Sequence, residues 1–218
     1  MSNHCDQRVL ILAMPRSGTT IIQKQIATFL CIPNLVEPDL DFDFSTELGR
    51  NQWHEWLQNY KRGTIKILTS CLYHVDFVQV LNLVKFDHYV LVERQDLVSC
   101  CISGWYAGDT TRYHWTPEQD AKLEQFYCPI DWVHSWVKQY DQLHHCEQQV
   151  IDQGVPVTKI CYETFMQDQA QMVMGHEIRS GIQVQTEHEN KYLDYQQLCY
   201  NYQTVKDIIE AHTHAKRL

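Results

Sequence analysis

The sequence predicts an α/β fold, a central parallel sheet flanked by helices, on three observations. Apolar runs too continuous for half-exposed strands recur along the chain, stretches of helical apolar spacing separate them, and a glycine turn joins the first run to the first helix. The 218 residues are 44% hydrophobic and 21% charged, which suits one domain with a sizeable core. No repeat, low-complexity tract or long linker divides the chain, so residues 1–218 are read as a single domain.

The first strand is RVLILAM (8–14). After the turn at Gly18, TTIIQKQIATFL places Ile21, Ile22, Ile26, Phe29 and Leu30 at helical spacing. TIKILTS (64–70) reads as the second strand and VDFVQVLNLV (75–84) as a helix, although its apolar density also fits a strand. HYVLVE (88–93) is the third strand, followed by the helical DLVSCCISGWYA. From Trp132 an apolar stripe continues through Trp136, Val137, Tyr140, Leu143, Val150 and Ile151 to a helix-ending Gly154. VPVTKICYETF returns as a strand, and YQTVKDIIEAH closes the chain as an amphipathic helix. Parallel sheets of this kind bind ligands at the carboxyl ends of their strands, where AMPRSGTT (13–20) falls.

Composition removes several function classes. The net charge of −9 opposes nucleic-acid binding, which needs a basic face. The longest apolar run is far short of a membrane span, so no membrane partner is expected; MSNHCDQ lacks the order of a signal peptide, and a cytoplasmic home is the default. Nine cysteines without a C-x-x-C read as free, mostly buried thiols. HHC (144–146) and HTH (212–214) lack the paired spacing of a structural zinc site and read as surface histidines on helices, so no metal is assigned. The sequence carries no signature of oligomeric state.

AMPRSGTT nearly spells the phosphate-binding pattern G-x-x-x-x-G-K-[ST], but Ala13 replaces the first glycine and Thr19 the lysine. What remains still suits an anion. Successive N–H groups between a strand and a helix form a concave nest, Gly18 permits close approach, Thr19 and Thr20 bring hydroxyls, and Arg16 brings a planar cation. HYVLVE ends in Glu93 and is followed by Arg94, with no strand-end aspartate of the kind that holds an ATPase magnesium.

PRSGTT behind an apolar strand resembles the 5′-phosphosulfate loop of the sulfotransferases that use 3′-phosphoadenosine 5′-phosphosulfate (PAPS). The resemblance implies a P-loop NTPase-like three-layer fold, PAPS as donor, adenosine 3′,5′-bisphosphate as product and no required metal. It assigns Pro15, Arg16, Ser17, Gly18, Thr19 and Thr20 to the donor's phosphosulfate end. VLVERQDLVSCCISGWYA (90–107) is similar to the family's 3′-phosphate segment, with Arg94 as its arginine and Ser103, or else Ser99, as its serine. ICYETF (160–165) resembles the Y-E-D-L strand end, which puts Tyr162 near the adenine and gives Glu163 a structural pairing. Lys191, within NKYLDYQQLCYNYQTV, is the candidate closing cation, although the family's G-x-x-G-x-x-[KR] motif is absent.

Sulfuryl transfer needs a cation at the leaving oxygen, donors on the equatorial oxygens and a base for the acceptor. Arg16 takes the first role; Lys66 is a secondary contact to the sulfuryl group or acceptor. The family's strand-two histidine is replaced by Leu68. Glu37, nineteen residues beyond Gly18, matches the glutamate base of the bacterial branch, with His74 as the other candidate. The acceptor is expected to be small, a sugar or an aromatic alcohol, with Tyr106, Tyr113, His114 and Trp115 as pocket candidates and Trp132 and Trp136 as core. Two other readings stay open at this point: a P-loop kinase or nucleotide switch, and a non-catalytic nucleotide-binding protein of the same fold.

Overall fold

The computed structural model describes residues 7–35, 42–73, 75–110, 125–181 and 194–215. They form an α/β protein whose central sheet is four-stranded, fully parallel and flanked by helices. The chain divides into two compact units, one built from Met1–Gln95 and Tyr140–Gln183, the other from Asp96–Gln139 and Val184–Leu218.

The first unit holds the sheet. Its strands are β1 (Arg8–Ala13), β2 (Gly63–Leu68), β3 (His88–Glu93) and β4 (Val157–Cys161), in the order β2-β1-β3-β4. β1 and β3 are central and buried almost throughout, which is why they read as unbroken apolar runs. The chain leaves β1 towards β2 and then crosses back to β3, so the carboxyl end of β1 is the switch point of the sheet. Ala13 pairs with both Leu68 and Val92, and Glu93 pairs with Cys161, so all four strands end within one residue of the same level.

Helix α1 (Thr19–Leu30) turns Ile22, Ile26, Ala27 and Leu30 onto the sheet. Burial of each large side chain contributes about 1.5–3 kcal/mol, and the cluster continues through Val9, Ile11, Val90, Val92, Ile160 and Phe165. Cys31 ends α1 in the left-handed region, its N–H donating to Ala27 and Thr28.

Helix α2 (Glu47–Asn59) is capped by Thr46, whose hydroxyl accepts from the Gly49 amide. A 3₁₀ turn (Cys71–Tyr73) follows β2, and α3 (Phe77–Leu83), capped by Asp76, settles the 75–84 segment as a helix. Residues 140–152 of helix α5 (Ile130–Asp152) belong to this unit, as do α6 (Tyr162–Met166) and the hairpin of β5 (Gln171–Val173) and β6 (His176–Ile178). The strand expected through VPVTKICYETF stops at Cys161, where the chain turns into α6, so Tyr162 stands in a helical first turn instead of a strand end.

The second unit comprises α4 (Leu97–Thr110), residues 130–139 of α5, α7 (Tyr195–Leu198) and α8 (Tyr202–Ala215). Phe126 bridges Cys199, and Asn201 pairs with both backbone groups of Cys128 at 2.8 and 3.0 Å. Cys100, Cys101, Cys128 and Cys199 are free thiols buried in this unit. Among the described residues no helix is long and apolar enough to cross a membrane.

Candidate functional site

The turn after β1 is shaped by two left-handed residues, Arg16 at φ 63° and Gly18 at φ 74°. Left-handed geometry suits glycine but strains arginine. Inside the turn Ser17 is buried and its hydroxyl donates to the Met14 carbonyl at 2.6 Å. Thr69 ties the turn to β2, donating its amide to Ala13 (2.9 Å) and its hydroxyl to Met14 Sδ (3.3 Å). Gly18, the N-cap of α1, brings no side chain to cap it. The first amides of a helix have no intrahelical acceptor, and the helix dipole adds positive potential there.

Lys66 reaches this turn from β2. It is 2% exposed, and its Nζ donates to Thr20 Oγ1 at 3.0 Å. Lys66 Nζ therefore stands beside the first turn of α1.

Arg94, just past β3, is held on three sides. Its Nε donates to Glu163 Oε1 at 2.7 Å, its Nη1 donates to the Arg16 carbonyl at 3.3 Å, and its guanidinium lies 4.3 Å from the centre of the Tyr162 ring. Glu163 also accepts from the Gln95 amide at 3.0 Å and from Cys161 Sγ at 3.5 Å. Burial works to raise the Glu163 carboxyl, but the Gln95 N–H and the Arg94 charge outweigh it and hold the group below the usual carboxylate range. The Tyr162 ring itself packs on Gly18.

Of the residues read from the sequence, Pro15, Arg16, Ser17, Gly18, Thr19, Thr20, Lys66, Arg94 and Tyr162 come together at the carboxyl end of the sheet, and Glu163 has the pairing role expected of it. Glu37, His74, Lys191, Tyr113, His114 and Trp115 lie outside the described residues. Ser99 and Ser103 belong to α4 in the second unit, one turn apart on the same helical face and both half-buried. The Ser99 amide donates to Asp96 Oδ1, so Asp96 caps the start of α4. Tyr106 is buried within α4 and packs on Phe126, with ring centres 4.9 Å apart.

Sequence reasoning missed Gln23. It is buried on α1, and its Nε2 donates to the Leu35 carbonyl at 2.6 Å and to Thr64 Oγ1 at 3.3 Å. A polar residue between Ile22 and Ile26 on a sheet-facing stripe was the available signal. Through this hydrogen bond α1 fixes the chain two residues short of Glu37.

A separate cluster involves the HHC segment. Ligand-type atoms of Glu93, His144 and Glu147 lie within 4.8 Å of one another. Lys159 Nζ stands 2.6 Å from Glu147 and 3.4 Å from Glu93, so an ammonium already neutralises these carboxylates. Burial alone would depress Lys159, but its bond to Glu147 and the charge of Glu93 raise it above the ordinary lysine value.

No protein-family model matches the chain, and no curated protein matches it at a significant level.

Proposed function

We propose that this chain is a sulfotransferase moving a sulfuryl group from PAPS to a hydroxyl or amine of a small acceptor. The observation that carries the reading is the β1–α1 turn: a helix that starts at a left-handed glycine, with Arg16 in the turn and the Lys66 side chain beside Thr20. Amide donors and two cations at one strand end suit a ligand with several anionic oxygens. The cation arrives from β2 and position 19 is threonine, which separates this turn from the lysine-bearing loop of ATPases. Arg94 and Tyr162 lie against the same turn and offer a guanidinium and an aromatic ring to the nucleotide part of the donor.

In this reading the acceptor atom attacks sulfur in line as its bond to the bridging phosphate oxygen breaks. The electron pair stays on that oxygen as adenosine 3′,5′-bisphosphate leaves. Arg16 stabilises the charge growing there, and the turn's amides with Thr19 and Thr20 hold the equatorial oxygens. Lys66 adds a buried positive charge, and Glu37 takes the acceptor's proton.

Thermal unfolding with adenosine 3′,5′-bisphosphate, and separately with Mg-ATP, tests the reading. The bisphosphate at ~100 times its dissociation constant adds about 2.7 kcal/mol of stability. Arg16→Gly, which removes the cation while keeping the turn accessible, weakens that gain. Stabilisation by Mg-ATP alone sinks the sulfotransferase reading in favour of a kinase.

A further inference from the structure

We infer that Glu163 is a positioning residue for the β1–α1 turn, presetting its left-handed geometry through Arg94. The ligand this serves rests on the sulfotransferase reading; the geometry does not. Two residues of the turn have positive φ, Arg16 and Gly18, and each is met by a neighbour from beyond β3. Arg94 Nη1 binds the Arg16 carbonyl, and the Tyr162 ring fills the space beside Gly18. These two neighbours also stack on each other at 4.3 Å.

Tyr162 and Glu163 are consecutive in the first turn of α6. One dipeptide thus engages the turn twice, directly by its ring and indirectly by its carboxylate. Glu163 is suited to this because its two oxygens take different partners, Arg94 Nε on one and the Gln95 amide on the other. It fixes both the side chain of Arg94 and the backbone just after it. The Arg94 side chain is only 11% exposed, so solvent screens the pair weakly. An arginine free to change rotamer could not hold a carbonyl of a strained residue in place.

Hydrogen exchange on the ligand-free protein separates positioning from general support. In Glu163→Gln the charge pairing with Arg94 is lost while an acceptor for Gln95 remains. The amides of Ile22 and Gln23, which close the first turn of α1 onto Gly18 and Thr19, then exchange about tenfold faster or more, while β1 and β3 keep their wild-type protection. Arg94→Lys keeps the charge but loses the planar fork, and it loosens the same amides. Wild-type exchange at Ile22 and Gln23 in either folded variant overturns the inference, as does a rise confined to β4 and α6.

Affinity for adenosine 3′,5′-bisphosphate supplies a second readout. It weakens in Glu163→Gln in proportion to the fraction of the turn left in its preset geometry. If the wild-type chain binds no bisphosphate, the sulfotransferase reading fails, and the exchange data still decide the role of Glu163.

Discussion

The Tyr162 ring occupies the volume that any side chain at Gly18 would need: a Cβ there would lie 2.0 Å from Tyr162 Cε2. The ring cannot swing away cheaply, because it is buried and lies under Arg94. Gly18 also sits at φ 74°. Gly18→Ala is therefore expected to cost about 2 kcal/mol or more, from overpacking and left-handed strain together. Urea unfolding measures it, and combining Gly18→Ala with Tyr162→Ala should recover part of the loss; strict additivity would show that the ring is not the obstacle.

Gly108 is the opposite case. It lies within α4, exposed, and a Cβ there meets nothing within 4 Å. Gly108→Ala should stabilise by roughly 0.5–1 kcal/mol, because it restricts the unfolded chain and favours the helix. A fall in the urea midpoint would contradict it.

Lys66 is buried, and its Nζ donates to Thr20 Oγ1. Lys66→Met keeps the length of the side chain and removes the charge. Affinity for adenosine 3′,5′-bisphosphate should fall about tenfold or more, because the ligand forfeits a charge-assisted hydrogen bond. Calorimetric titration of the folded variant reads the affinity; an unchanged value removes Lys66 from the site.

Glu37→Gln tests the chemistry directly. Turnover should drop about 10²–10⁴-fold, the usual worth of a general base, with stabilisation by the bisphosphate retained. Unchanged turnover moves the role to His74.

His88 gives the fold a pH dependence. It is buried, its Nε2 shares a 2.8 Å hydrogen bond with Thr158 Oγ1, and burial holds its pKa below the ordinary 6.5. The unfolded chain therefore takes up the proton first as pH falls. The stability due to neutral His88 is present above about pH 6.5 and is lost as pH drops from there towards the lower folded value. His88→Gln, which keeps a partner for Thr158 but cannot titrate, should show a smaller loss of melting temperature between about pH 7.5 and pH 5. Equal losses in both proteins would place the acid sensitivity elsewhere.

What the sequence made legible follows from the physics of each element. β1, α1 and β3 could be read because buried strands are continuous apolar runs and α1 carries one clean stripe. Helix α2 was not read, although Trp53, Trp56, Leu57 and Tyr60 stand at helical spacing; its other positions are polar enough to resemble a loop. The β5–β6 hairpin has strands of three residues each, too short for a period to register. The turn itself was legible, since its chemistry is local. The tie between Arg94 and Glu163 spans 69 positions, and nothing short of the folded sheet places one beside the other.

The three residues after Ile32 have a consequence at the border of the sheet. Thr64 donates to Pro33, Leu35 donates back to Thr64, and Asn34 bridges Thr64 in parallel. β2 is a terminal strand of its sheet, and a bare terminal strand is a template on which another chain can polymerise. Here the outward backbone groups of Thr64 are already occupied by the chain's own backbone, and Pro33 has no N–H with which to recruit a further ladder. The segment that carries the chain towards Glu37 thereby closes the start of β2 to a further strand.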